Sequence, residues 1–160
     1  MQQYGGFWIR VGAYLIDAIV LAIAGGVVGG IIGAVIGLVM ASSGGGSGDI
    51  AAAAGLVGQL VGIIINWLYF GILESSSWQA TLGKKAVGLV VTDEQGRRIS
   101  FGRATGRYFA KIISALILLI GFMMVGWTQR KQGLHDMIAG TLVWKAGSPD
   151  MVTQDASVFS

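Results

Sequence analysis

The chain has 160 residues, of which 54% are hydrophobic and only 12% charged, with a net charge of +3 and a mean hydropathy of +0.71. That is too apolar and too poor in charge for an ordinary soluble domain. Cysteine is absent and there is a single histidine, which excludes disulfides, thiolate metal sites and lipidated cysteines, and leads us to expect no metal and no cofactor.

The first apolar stretch, Val11 to Met40, carries one charge, Asp17. The second, Ala51 to Leu73, carries none. Each exceeds the roughly 20 residues that a helix needs to cross a hydrocarbon core of about 30 Å. Two transmembrane helices are therefore predicted. A cleaved secretory signal is disfavoured for the first, which lacks a basic cluster before it, holds an acid, and is about twice as long as a signal's apolar core. Asp17 is the anomaly, since an ionised carboxylate near the bilayer centre costs about 2.5–3.5 kcal/mol on insertion scales.

Both helices carry small residues four apart: Gly25, Gly29, Gly33 and Gly37 on the first, and Ala54, Gly58 and Gly62 on the second. Such stripes let helix backbones approach closely in lipid, either within the chain or between copies. With so few helices in one chain, some of this surface is expected to meet a second copy or another membrane protein. Gln59 and Asn66, seven apart on one face of the second helix, read as amides bonding across to a neighbour, or as the lining of an ion route.

Orientation follows from the basic residues. The loop "ASSGGGSGDI" (Ala41–Ile50) has none and reads as a flexible linker. The segment from Glu74 to Lys111 has seven, among them Lys84, Lys85, Arg97 and Arg98. The positive-inside rule places that segment and the N-terminus in the cytoplasm. Those four residues are candidates for contact with anionic lipid headgroups, each worth about 1 kcal/mol. The positive balance thus needs no nucleic acid to explain it.

Within the basic segment, "GLVVTDEQGRRISF" (Gly88–Phe101) has two β-prone runs around a turn at Asp93-Glu94-Gln95-Gly96, and "GTLVWK" (Gly140–Lys145) is a third. A small cytoplasmic β element of three short strands is predicted. Between them lies Ile112–Thr128, uncharged and only about 17 residues long, at the lower limit for a crossing. Gly121 divides it into two arms of about half a membrane each. A re-entrant hairpin keeps Arg130 and Lys131 on the cytoplasmic side, whereas a full crossing sends them outside against the charge rule. The fold class read from this is an all-α integral membrane protein: two full transmembrane helices, a short third segment that re-enters or crosses, and a small cytoplasmic β element. Residues 1–145 read as one membrane domain and 146–160 as a loose polar tail.

Arg10 and Asp17 lie seven apart on one helical face, about 10 Å along the axis. That is too far for a close salt bridge, so each needs another partner. Candidates lie in "RATGRYFAK", where Arg103, Arg107 and Lys111 share a face, and in "QGLHDMIAGTLVWK", which holds His135 and Asp136.

An arginine at the start of the first helix, an aspartate seven residues on, and a second aspartate in "LHDMIAGTLV" resemble the residues for which the RDD family is named. "TLGKKAVGLVVTDEQGRRISFGRATGRYF" (Thr81–Phe109) is similar to that family's cytoplasmic segment. The likeness covers roughly Phe7 to Trp144. It puts Arg10, Asp17 and Asp136 in the three namesake positions, with Lys84, Arg107 and His135 as further matches. The glycine-rich first helix and the short third segment depart from the pattern. The resemblance implies a membrane protein, and cation/proton antiport is proposed for some members of the family. One interhelical network is expected, in which Arg10 meets Asp136 and Asp17 meets a basic or amide group such as Arg107 or Asn66.

Two functional classes follow. In one, the Arg–Asp network is structural, and the chain is an assembly or partner-binding module of the inner membrane. In the other, an oligomer exchanges a cation for a proton at Asp17. An enzyme is not expected, because His135 and Asp136 are accompanied by no nucleophile motif and no cluster with ligand spacing.

Overall fold

The structure, a computed structural model, describes residues 4–117 and 120–147. It is mostly helical. Helix α1 spans Phe7–Ser42 and α2 spans Ser47–Ser75, both long and apolar enough to cross a membrane. The expected linker is shorter than its composition indicates. Asp49, in the first turn of α2, complements the positive end of the helix dipole, and the helix starts inside the glycine- and serine-rich run.

After α2 come a short helix α3 (Leu82–Ala86), strand β1 (Leu89–Asp93), helix α4 (Phe101–Leu116), a one-turn helix α5 (Ile120–Met123) continued by a 3-10 turn at Met124–Gly126, helix α6 (Leu134–Ala139) and strand β2 (Thr141–Lys145). The axes of α4 and the Ile120–Gly126 segment differ by 115°, so the third apolar stretch is a bent helix pair and not one straight crossing. Gly121 lies just after the bend, where an added Cβ would sit 2.8 Å from Ser114 Cβ and 3.0 Å from Leu134 Cβ. Close approach is the use of this glycine.

The sheet has two strands. β1 and β2 pair antiparallel, with Val91 opposite Val143 and Asp93 opposite Thr141. The third strand expected at Arg97–Ser100 is not formed. The turn is present, with Asp93 Oδ1 accepting from the amides of Gln95 (2.9 Å) and Arg97 (2.8 Å). The residues after it lead into α4 instead, where the Ser100 side chain caps the helix by accepting from the Arg103 amide. Tyr4 bridges to Trp144, and the Gly5 amide donates to Val143 O at 2.8 Å, so the N-terminal segment covers the edge of β2. Ala13, Leu89, Val91, Ile99, Ala104 and Val143 form a buried apolar cluster around this sheet.

The described residues fall into two compact units, 4–17 with 69–147, and 18–68. The boundary on α1 falls just after Asp17. The helix has 36 residues, about 54 Å at 1.5 Å each, well beyond the hydrocarbon thickness of about 30 Å. The stretch after Asp17 is by itself long enough to span. In the 18–68 unit, a Cβ added at Gly25, Gly29, Gly33, Gly37, Gly58 or Gly62 would meet nothing within 4 Å. The stripe therefore makes no close backbone contact among the described residues of this chain, which corrects the intrachain form of that expectation. Of the polar tail, only Ala146 and Gly147 fall within the described residues.

Candidate functional site

The first unit is built around a buried cluster of charges. Helix α4 explains how. Its inward residues are Ala104, Arg107, Ala110 and Ser114, while Phe109, Ile112, Ile113 and Leu116 are exposed. Arg107 and Ser114 point in among small alanines while the large apolar side chains of the later turns point out, the arrangement expected of a helix whose outer face meets lipid.

Asp136, at the third position of α6, is fully buried. Its Oδ2 pairs with Arg10 Nη1 and accepts from the Gly133 amide at 3.2 Å. Its Oδ1 accepts from Arg107 Nε at 2.9 Å and lies 2.7 Å from Arg107 Nη2. Arg10 also donates from Nε to Gly5 O at 2.8 Å and from Nη2 to Lys131 O at 2.5 Å. Two guanidinium groups thus share one carboxylate, an arrangement matched to their planar donor geometry. Burial alone would raise the Asp136 pKa, but Arg10 and then Arg107 override it and hold the carboxyl well below its ordinary value.

Arg107 bridges to a second carboxylate. Its Nη1 donates to Glu74 Oε2 at 2.9 Å, Lys84 Nζ donates to Glu74 Oε1, and Lys111 Nζ lies 3.8 Å from the same oxygen. Lys111 also sits 4.0 Å from the centre of the Phe70 ring, a cation–π contact. Burial, reinforced by the charge of Arg107 and opposed by Glu74, pulls the Lys84 pKa down to about 7. Lys84 was expected to face lipid headgroups. It is only 7% exposed and turned inward to Glu74, so that assignment is corrected. Lys85, Arg97 and Arg98 remain exposed; Lys85 stacks on Trp78 at 3.6 Å and Arg97 pairs with Asp93 at 3.2 Å.

His135 is buried, with Nε2 3.4 Å from Asp136 Oδ1, its ring 5.0 Å from that of Phe122, and its Nδ1 without a hydrogen-bond partner. Burial, and then the nearby cations against the pull of Asp136, depress its pKa to about 3. It is a neutral imidazole at ordinary pH.

Asp17 is solvated differently. It is 1% exposed and accepts three hydrogen bonds, all from neutral donors: Tyr69 Oη at 2.6 Å, Thr81 Oγ1 at 2.6 Å and the Gly83 amide at 2.7 Å. The predicted partner Arg107 does not fill this place, since it is committed to Asp136 and Glu74. The "TLGK" run acquires a physical reading here. Thr81 caps α3, accepting from the Lys84 amide while donating to Asp17. Gly83 passes so close to α1 that an added Cβ would lie 2.0 Å from Ala13 O. Lys84 then reaches Glu74.

Of the expected network of Arg10, Asp17, Arg107, Asn66, His135 and Asp136, the structure brings Arg10, Arg107 and His135 to Asp136, with Arg107 there and not at Asp17; Glu74, Tyr69, Thr81 and Gly83 are not part of that expectation. Glu74 carried one usable signal: it is the sole acid between Asp49 and Asp93, while the inward cations of α4 require a counter-charge. Among the described residues, no group of three or more histidine, cysteine, aspartate or glutamate side chains is placed to hold a metal ion.

A family model described as "RDD family" matches residues 4–140. The chain belongs to the RDD family. It is 41% identical over 149 residues to a Bacillus subtilis (strain 168) protein named "Uncharacterized protein YxaI", covering 89% of this chain and 98% of that one. It is 31% identical over 148 residues to "Uncharacterized membrane protein YteJ" from the same organism, covering 89% of this chain and 81% of that one. No solved structure matches. This RDD protein is a membrane protein with two or three candidate spans, and its namesake arginine and aspartates lie in a buried Arg/Asp/Glu network.

Proposed function

We propose that this RDD protein is a non-enzymatic structural and assembly module of the inner membrane, whose charge network ties its helices to a small cytoplasmic sheet. The observation that carries this reading is that each buried carboxylate is satisfied from within the chain. Asp136 is held by two arginines, Glu74 by Arg107 and Lys84, and Asp17 by three neutral donors. Arg107 joins Asp136 on α6 to Glu74 at the end of α2, and Arg10 brings in α1. A network closed in this way fixes relative positions. Lys85 and Arg98 supply exposed charge for anionic headgroups, and the glycine stripe supports assembly with a second copy.

A second reading, cation/proton exchange by an oligomer at Asp17, draws on one observation. Asp17 accepts its three hydrogen bonds from neutral donors, Tyr69, Thr81 and the Gly83 amide, and none from a cationic side chain among the described residues. Its Oδ2 accepts only one of these bonds and keeps acceptor capacity that an entering cation could use.

Proteoliposomes carrying a pH dye separate the two. The structural reading expects no proton flux under a sodium or potassium gradient, and a lower melting temperature for Asp17→Asn. Flux that Asp17→Asn abolishes at unchanged stability replaces it with transport. The orientation is checked in cells: cysteines at Ser47 and Gln95 label from opposite sides of the membrane, and one at Gln132 labels with Gln95. Labelling of Ser47 and Gln95 from the same side overturns it.

A further inference from the structure

We propose that the groove between the start of α1 and the turn after α5 binds an anionic phospholipid, with one acyl chain along its apolar wall and the phosphate at Lys131. The groove has a volume of about 590 Å³ and is lined by Phe7, Trp8, Val125, Trp127 and Lys131, among others. All of these belong to one compact unit.

The occupant follows from four features. The first is position. Trp8 and Trp127 are 80% and 64% exposed, and large amphipathic rings left open at the end of a membrane helix belong at the headgroup level. The second is the apolar character of the neighbouring elements. Met123 lines the groove, and like Ile112, Leu116 and Ile120 of the bent helix pair it is a large apolar side chain left exposed, as suits hydrocarbon. The third is charge. Lys131 and Lys145 both line it, and no acidic residue stands among the described residues that do so.

The fourth is the conformation of Lys131. It is one of two described non-glycine residues at positive φ, at 50°, a region that L-residues other than asparagine and aspartate seldom enter. Two contacts hold it there: its carbonyl accepts from Arg10 Nη2, and its Nζ donates to Gly126 O at 2.8 Å. A strained backbone that lays an ammonium group on the edge of an apolar groove is a feature of binding sites. Because Arg10 also holds Asp136, the lipid seat is built directly onto the charge network. A protein segment would have to match the groove along its length with its own chain, whereas a lipid is already present in the bilayer at that depth. The proposal rests on the membrane character of the chain and is independent of whether anything is transported.

Full-length protein in detergent is titrated with dioleoyl phosphatidylglycerol, dioleoyl phosphatidylcholine or inorganic phosphate, and bound species are counted by native mass spectrometry. One phosphatidylglycerol should be retained preferentially, with phosphate alone failing to bind. Lys131→Gly suits the positive φ and keeps the carbonyl for Arg10, so it should leave thermal stability intact while weakening that lipid about fivefold, the effect of one ammonium group at a headgroup. Gly126→Leu, at a position where an added Cβ meets nothing within 4 Å, should fold and abolish the retained lipid by filling the groove. Equal retention of the two lipids, binding of free phosphate at the same concentration, or retention unchanged in both variants overturns the proposal.

Discussion

Replacing Gly83 by alanine tests the Asp17 site with a single methyl group. The new Cβ would lie 2.0 Å from Ala13 O and 2.8 Å from Asp17 Cγ. An ordinary carbon–oxygen contact is about 3.3 Å or longer, so α3 must retreat by about 1.3 Å. The Gly83 amide donates to Asp17 Oδ1 at 2.7 Å, and a retreat of that size takes it out of hydrogen-bond range. Losing a bond to a charged acceptor costs about 1.5–3 kcal/mol, and residual crowding adds about 1–3 kcal/mol. A destabilisation of about 2.5–6 kcal/mol is expected. The control is Gly106→Ala, in the interior of α4 where an added Cβ meets nothing within 4 Å; it should stabilise by about 0.5–1 kcal/mol. Both are measured by equilibrium unfolding in mixed micelles. If Gly83→Ala proves as stable as wild type, the contact between α3 and α1 is not the anchor of Asp17.

Arg10→Ala and Asp136→Ala should each cost about 3–5 kcal/mol by stranding the opposite charge, while the double variant costs clearly less than their sum; additive losses in the same assay deny the coupling. His135 takes up a proton in the unfolded chain below about pH 6.5 but resists it in the fold until about pH 3. Stability should therefore fall on acidification from pH 6.5, by up to about 1.4 kcal/mol per pH unit, and His135→Phe should flatten that limb in thermal melts. Lys84 acts in the opposite range: its buried charge is a penalty in full below its folded value of about 7 and is relieved as pH rises towards 10.5, so Lys84→Met should flatten an alkaline gain. Gly29→Leu and Gly33→Leu should leave the monomer's melting temperature unchanged and reduce self-association seen by light scattering; a large loss of monomer stability would show that the stripe packs within the chain after all.

The parts of the fold that could be read from the sequence are those governed by composition and helical period. Apolar stretches with one charge and none locate α1 and α2, a seven-residue spacing puts Arg10 and Asp17 on one face, and a four-residue spacing puts Arg107 and Lys111 on another. What escaped reading depends on contacts distant in the chain. Lys84 sits in a basic run that looks solvated, and only the approach of Glu74, ten residues earlier, turns it inward. Thr81 and Gly83 lie in a helix of five residues, too short for any period to reveal. Arg97–Ser100 has the pattern of a strand but is used to cap α4, because the Asp93 side chain takes the amides that start the turn. The small-residue stripe foretold close packing, yet no partner for it lies within the described residues of the chain.

The Asp17 puzzle resolves once the length of α1 is set beside its composition. The helix is longer than the bilayer requires, and its first three turns belong to the compact unit that contains the charge network. Asp17 therefore lies on the packed side of the part of α1 that belongs to this unit, where it and Ala13 are buried while Trp8, Tyr14 and Leu15 stay exposed, and not at the centre of the apolar stretch that follows. It is stabilised there by hydroxyl and amide dipoles, while Asp136 and Glu74 are stabilised by cations. Among the described residues, Arg10, Arg107, Lys84 and Lys111 surround the buried carboxylates of Glu74 and Asp136, which leaves more cationic groups than carboxylates around these ion pairs with His135 neutral. Buried excess charge is costly, and Lys84, brought down to about pH 7 by burial and by Arg107, is the group that releases it. Its neutral amine still donates to Glu74, whose second oxygen keeps Arg107. Loss of the Lys84 proton thus leaves both Glu74 oxygens with a hydrogen-bond donor.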